Sequence, residues 1–195
     1  MAQSDEMLLY EILKGNESAM EILVKRHYDL VHSFIYRNTG DYNIAYDLTQ
    51  EVFIKMMKNI NKYNIEDKKF RSWLLKIASN SMKDYFKSKT YKQRCEYQDI
   101  DEYEIPDKNN VVDLLDKKEE TIKIKEAINK LPNIQREAII LKYYNDLKIK
   151  EISGITGENE NTIKSRLYNG IKTLKKLLGG DIYENNTKET SRYKM

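Results

Sequence analysis

Cysteine is nearly absent. Cys95 stands alone among 195 residues, which excludes an internal disulfide framework and a zinc cage built on thiolates. Histidine is almost as scarce: His27 and His32 are five positions apart, so they do not share a helical face, and no metal-ligand cluster accompanies them. Seven glycines and two prolines leave few chain breakers, and no glycine-rich phosphate loop can be written from them. Alternating β-branched runs bounded by turn residues are missing, which argues against a sheet. No apolar run approaches the roughly 18 residues of a membrane span. The opening MAQSDEMLLYE is acidic, without a long apolar core or small-residue cleavage site, so secretion is not expected. These absences predict a soluble cytoplasmic chain, nearly all helical, with no metal or other cofactor.

Charge is present in quantity and unevenly placed. The net charge is +3, but residues 1–90 carry +2, residues 91–120 carry −5 and residues 121–195 carry +6. In the middle stretch Glu96, Asp99, Asp101, Glu102, Glu104 and Asp107 follow one another with no cation until Lys108. Low hydrophobicity, like charges and Pro106 make this a poor core former. The expected organisation is all-α: two small helical domains, 1–90 and 120–179, joined by a flexible acidic linker over 91–119, with a disordered tail over 180–195.

In the first domain, Asp5 to Lys14 forms a short helix ended by Gly15, and Asn16 is placed to cap the next. Met20, Leu23, Val24, His27, Leu30, Val31, Phe34 and Ile35 keep three- and four-residue spacing to about Asn38, an amphipathic helix in which His27 reads as a packed core residue. Ala45, Leu48, Val52, Phe53, Met56 and Ile60 mark a third helix, and Phe70, Trp73, Leu74, Ile77, Ala78 and Phe86 a fourth. On the outer face of the third, Asp47, Gln50, Glu51 and Lys55 make an acid-amide patch. The fourth presents Arg71, Lys76, Asn80, Lys83, Lys87 and Lys89, interleaved with Tyr85, Phe86 and Tyr91. Cations attract phosphates whatever the sequence, and aromatics offer stacking platforms for unpaired bases. A merely solvated lysine face is the competing reading of the same pattern.

The C-terminal pattern is sharper. Ile124, Ala127, Ile128 and Leu131 close one helix, and Pro132 suits the start of the next, expected over Asn133–Tyr144. Then Ile149, Ile152 and Ile155 line a short helix, Gly157 sits in a turn, and Ile163 and Leu167 face back from the following helix. This spacing fits a helix-turn-helix, whose second helix enters the major groove. Asn159 or Asn161 can cap that helix, so its amides can meet a phosphate. Lys164, Ser165, Arg166, Tyr168 and Asn169 are the side chains expected to reach bases or backbone. A helical hairpin with no DNA role would share much of this pattern.

Together these residues resemble the extracytoplasmic-function sigma factors of bacterial RNA polymerase, part of the sigma-70 superfamily. The likeness covers residues 5–90 and 120–178. Asp-Leu-Thr-Gln-Glu-Val-Phe (47–53) resembles the region 2 helix that docks on the clamp coiled coil of the polymerase β′ subunit. Phe70, then Trp73 to Asn80, then Asp84 resemble the segment that opens and reads the −10 element. Leu131-Pro132 with Arg136, Glu151-Ile152 and Thr162 to Leu167 are similar to region 4, the reader of the −35 element.

The resemblance implies a transcription initiation factor and no enzyme, with core polymerase (β′ clamp and β flap) and promoter DNA as partners. It also admits an anti-sigma factor, which in this family is often membrane-associated. It implies polymerase binding by Asp47, Gln50, Glu51 and Phe53. It implies −10 contacts by Asn61, Lys62, Lys68, Lys69, Arg71, Trp73, Lys76, Asn80, Lys83 and Lys87, with the loop 61–69 cradling a flipped base near Asn80. It implies −35 contacts by Asn161, Thr162, Lys164, Ser165, Arg166, Tyr168 and Asn169. The acidic linker resembles the family segment that threads toward the active-site cleft. Several positions depart from the family's habit: Lys87 for Arg, Ser153 for Ala, Glu158 for an apolar residue, Asn161 for Gly, and Asn169 for a basic residue. A stand-alone helix-turn-helix regulator remains the alternative, although it gives no task to the segments 47–53 and 73–80.

Overall fold

The computed structural model describes residues 3–67, 69–88 and 115–179, with the side chains of 115–120 excepted. Among them there is no strand, and no helix is long and apolar enough to cross a membrane. Lys68, the predicted linker as far as residue 114 (with Tyr91 and Cys95), Lys89 and the 180–195 tail lie outside the described residues.

Helices form where local chemistry starts and stops them. Helix α1 (Asp5–Leu13) begins at Ser4, whose hydroxyl accepts from Met7 N. Helix α2 (Glu17–Thr39) begins at Asn16, whose side chain accepts from Ala19 N, and it ends at Gly40 with φ 72°. That left-handed turn lets the Gly40 amide return to the Tyr36 carbonyl at 2.8 Å, a conformation costly for any residue with a Cβ. Asp41 caps α3 (Tyr42–Asn59) by accepting from Ile44 N at 3.0 Å. Two tight turns, Ile60–Lys62 and Ile65–Asp67, lead to α4 (Phe70–Lys87). The apolar stripes of α1–α4 meet in a core that includes Leu8, Leu23, Phe34, Val52, Met56 and Leu74. His27 is buried there, its ring 2.8 Å from Asp5, and Arg26 holds the same carboxylate at 2.7 Å. The acidic N-terminus is thus the strap that fastens α1 to α2.

The second module comprises α5 (Leu115–Asn129), α6 (Asn133–Ile139), α7 (Ile149–Thr156) and α8 (Glu160–Leu177). Helix α5 begins inside the segment expected to be linker, because Ile124, Ala127, Ile128 and Leu131 give it a face to bury. The single helix expected over Asn133–Tyr144 is instead α-helical to Ile139 and then widens into a π-turn, Ile140–Tyr144. Asn145 N bonds Ile140 O and Leu147 N bonds Leu141 O, so the widened turn delivers Leu147 into the core. Gly157, at φ 77°, makes the turn between α7 and α8, and Asn159 caps α8 by accepting from Thr162 N at 2.8 Å. Where α8 crosses α6, Gly170 leaves room that a Cβ would not: it would stand 3.1 Å from Ile139.

The modules do not hang apart on their tether. The buried core is continuous from one to the other, and α4 lies against α7. Ser79 Oγ donates to Glu137 Oε1 at 2.5 Å, Lys83 Nζ to the Thr156 carbonyl at 2.6 Å, and Arg71 to the Asn145 carbonyl at 3.0 Å. From the other side Arg136 donates to the Asn38 carbonyl at 2.6 Å, and Arg37 lies over the Tyr144 ring at 4.7 Å. A cleft of about 430 Å³ remains between α2 and α5, lined by His32, Tyr36, Lys125 and Ile128 among others.

Candidate polymerase and promoter interfaces

The outer face of α3 carries the acid-amide patch intact. Asp47, Gln50 and Glu51 are exposed, and Glu51 pairs with Lys55 at 2.6 Å, whose ammonium also reaches Ser81 of α4. Phe53, expected among these contacts, is buried instead, its ring stacked on Tyr28 with centroids 6.2 Å apart. Helical spacing explains the correction: Phe53 lies with Ala45, Thr49 and Met56 on the inward face. The residues that continue the outward face are Tyr46, Ile54 and Met57, all exposed. Sequence reasoning passed over them because apolar helical residues default to core, and their offsets from Asp47 are the signal that places them outside.

On α4 and the loop before it, Asn61, Lys62 and Lys69 are exposed. Tyr63 shapes this loop from beneath: its hydroxyl accepts from Lys69 N at 2.9 Å, while its ring lies 5.1 Å from Trp73 and 5.6 Å from Phe70. Trp73 is half-buried in that aromatic cluster. Lys76, Asn80 and Lys87 are exposed and recur with Trp73 along one side of the helix. Arg71 and Lys83 differ. Their charged ends are held by carbonyls of the second module, and Lys83 is half-buried. Lys68 lies outside the described residues.

On α8, Asn161, Lys164, Ser165, Tyr168 and Asn169 are exposed and Thr162 is half-buried beside its cap. All of these but Tyr168 border an open hollow of about 830 Å³ that Ile134 and Gln135 of α6 close on its other side. Arg166 departs from expectation. Its side chain is only 15% exposed, and it turns inward to Glu158 at 2.7 Å. Glu158 is therefore neutralised by the chain itself. Ser153 closes the same turn by donating to the Glu158 carbonyl at 2.6 Å.

Glu137 is the group that the reading of α6 missed. It is buried, and desolvation pushes its carboxyl above the usual range, opposed by the Ser79 hydrogen bond and the nearby Lys83 and Arg166 charges. A lone carboxylate between Arg136 and a run of Ala-Ile-Ile was the available signal.

Comparison with known proteins settles the family. Residues 23–91 match the model of Sigma-70 region 2, and residues 121–174 match that of Sigma-70 region 4. SigW of Bacillus subtilis, an ECF RNA polymerase sigma factor, is 31% identical over 179 residues, covering 86% of this chain and 93% of the relative. The chain belongs to the extracytoplasmic-function sigma factors. BldN of Streptomyces coelicolor, another, is 28% identical over 92% of this chain and 69% of its own length. In fold, this sigma factor is similar to CnrH, solved with the cytosolic domain of CnrY (TM-score 0.64, 21% identity, 92% of this chain and 99% of CnrH). It is also similar to RpoE of Bartonella quintana (TM-score 0.66, 23% identity, 83% and 97%). As an alternative sigma factor it directs RNA polymerase to promoters and is not an enzyme. A region 2 module has no part in a stand-alone regulator, so that alternative is not favoured.

Proposed function

We propose that this sigma factor, acting in the cytoplasm, divides its work among three faces. Residues 1–90 form region 2, 91–119 the linker and 120–179 region 4. The α3 face, with Asp47, Gln50 and Glu51, meets the clamp coiled coil of β′, and Phe53 supports it from inside. The open side of α4, with Trp73, Lys76, Asn80 and Lys87, receives the −10 element. Asn61, Lys62 and Lys69 border a base drawn out of its stack, and a polar rim beside an aromatic cluster can offset the few kcal/mol that unstacking costs. The exposed side of α8, led by Lys164, Ser165, Tyr168 and Asn169, enters the −35 major groove, with the α8 N-terminus toward a phosphate. Region 4 also meets the β flap. Arg166 stiffens the reading helix through Glu158 rather than touching bases.

The observation that carries this reading is the pairing, in one chain, of a region 2 module whose acid-amide face is open with a region 4 helix-turn-helix. An anti-sigma partner has a parallel in RpoE, solved with the anti-sigma factor NepR. Run-off transcription with purified chain and core polymerase on genomic fragments tests the proposal. Discrete transcripts that core enzyme alone does not make are expected. Transcription unchanged by the added chain would reject it.

A further inference from the structure

The cleft between α2 and α5 has no part in the three faces assigned above. Half-buried His32, Tyr36 and Ile124 and buried Ile128 line it, together with exposed Arg37 and Lys125. Among the described residues no Asp or Glu lines it. Both cations are held by aromatic rings instead. The Arg37 guanidinium lies over the Tyr144 ring at 4.7 Å. Lys125 Nζ lies 5.2 Å from the Tyr36 ring centre and donates to the Tyr36 hydroxyl at 3.0 Å. A guanidinium stacked by its face keeps its N–H donors in the plane, where they match the two oxygens of a carboxylate. The α2 wall is made of parallel rings, His32 standing 6.3 Å from Tyr36 at an interplanar angle of 4°. His32 Nε2 is buried with no hydrogen-bond partner. Burial holds that imidazole below its ordinary pKa, against a weaker pull from Asp29. Attraction for an anion therefore falls to Arg37 and Lys125.

We propose that this cleft binds a small aromatic carboxylate, its charge taken by Arg37 and Lys125 and its ring by Tyr36, Ile124 and Ile128. The volume, about 430 Å³, lies within the roughly 300–1,000 Å³ of small-molecule sites, which share this mixture of apolar wall and few polar groups. Other occupants fit less well. An inorganic anion would leave the apolar wall unused, and a neutral hydrocarbon would take water from two cations and return nothing. A peptide would bring backbone amides and carbonyls that Ile124 and Ile128 cannot pair. An aromatic acid brings one charged end and one apolar end. Arg37 belongs to region 2 and Lys125 to region 4, so the ligand touches both. None of these residues is assigned to polymerase or promoter, so the site does not depend on those assignments.

Isothermal titration calorimetry of the full chain with benzoate, 2-naphthoate and indole-3-carboxylate tests the site. At least one of these acids should bind saturably with a dissociation constant below about 1 mM. The same acid should raise the thermal midpoint, as a ligand of the folded state does. Its primary amide, which keeps the ring and loses the charge, should bind at least about tenfold more weakly. Arg37→Gln and Lys125→Gln alter exposed residues, so folding should be retained. Each should weaken binding about three- to tenfold, and the double variant further. Lys175→Gln removes an exposed lysine that does not line the cleft, and should bind as the parent does. Failure of all the acids to bind, as for a cleft that serves only a protein partner, would overturn the proposal. So would equal binding of acid and amide, which marks an unselective apolar pocket. Parent-like binding by the double variant would also overturn it, because the acid would then sit elsewhere. No polymerase or DNA enters the titration, so its result and that of the run-off assay stand separately.

Discussion

Arg166 and Glu158 close on each other at 2.7 Å across the turn that precedes the reading helix, and the arginine is largely withdrawn from solvent. The pair joins the interior side of α8 to the residue that follows Gly157, so it fixes how far the helix can swing. A double-mutant cycle on Arg166→Ala and Glu158→Ala should show a coupling of about 1 kcal/mol, since one partner is shielded and the other partly solvated. Binding of Arg166→Ala to a promoter duplex and to a scrambled duplex should fall by the same factor. A loss confined to one base position would make Arg166 a base reader after all.

How far the sequence spoke depended on the range of the interaction. Asn16 was legible as a helix cap, and the α8 cap was narrowed to Asn159 or Asn161, because a cap bonds to an amide three residues away; Asn159 is the one that does so. Gly40 and Gly157 marked ends for the same local reason. Phe53 entered the contact set because a motif quoted as a string mixes the two faces of a helix, although its spacing with Ala45, Leu48 and Met56 puts it on the apolar stripe, where its ring stacks on Tyr28. The π-turn at Ile140–Tyr144 answers to the demand of Leu147 for the core, which no local pattern announces. The contacts of Glu137 with Ser79 and of Asn145 with Arg71 join residues 58 and 74 positions apart. Charge and periodicity along the chain carry no record of such pairs.

The outward and inward sides of α3 should respond differently to substitution. Asp47→Lys alters an exposed residue, so thermal stability should stay within about 0.5 kcal/mol of the parent while holoenzyme assembly weakens. Phe53→Ala empties a packed site and should cost about 3–5 kcal/mol of region 2 stability. Denaturant unfolding and titration with core polymerase, run on both variants, separate the two effects. Unimpaired assembly by Asp47→Lys would remove this face from the clamp contact.

Lys164 is exposed on the side of α8 that borders the hollow, and its compact charge suits a phosphate better than a base edge. Lys164→Ala should weaken holoenzyme binding to different promoter duplexes by similar factors. It should also reduce the slope of log affinity against log salt by about 1. An unchanged slope would place this lysine away from the DNA backbone.

Acidity should tighten the contact between the regions. Burial raises the carboxyl pKa of Glu137 where the two regions pack together, and in the unfolded chain it returns toward the ordinary value of 4.5. The packed structure therefore binds more protons than the unfolded chain. Its advantage from this group is fully present below the ordinary glutamate range and is lost as pH rises through the raised value. Lys83, Arg166 and the Ser79 hydroxyl oppose the shift and Glu158 reinforces it, but burial dominates. His32, lining the cleft between α2 and α5, runs the other way: burial lowers its pKa, so acid favours a state that releases it. Glu137→Gln separates the two, since it keeps the shape and cannot ionise. Between neutral pH and pH 5 the parent should gain thermal stability relative to Glu137→Gln, with the His32 contribution common to both. Parallel profiles for the two proteins would show that the carboxylate takes up no proton as the regions pack.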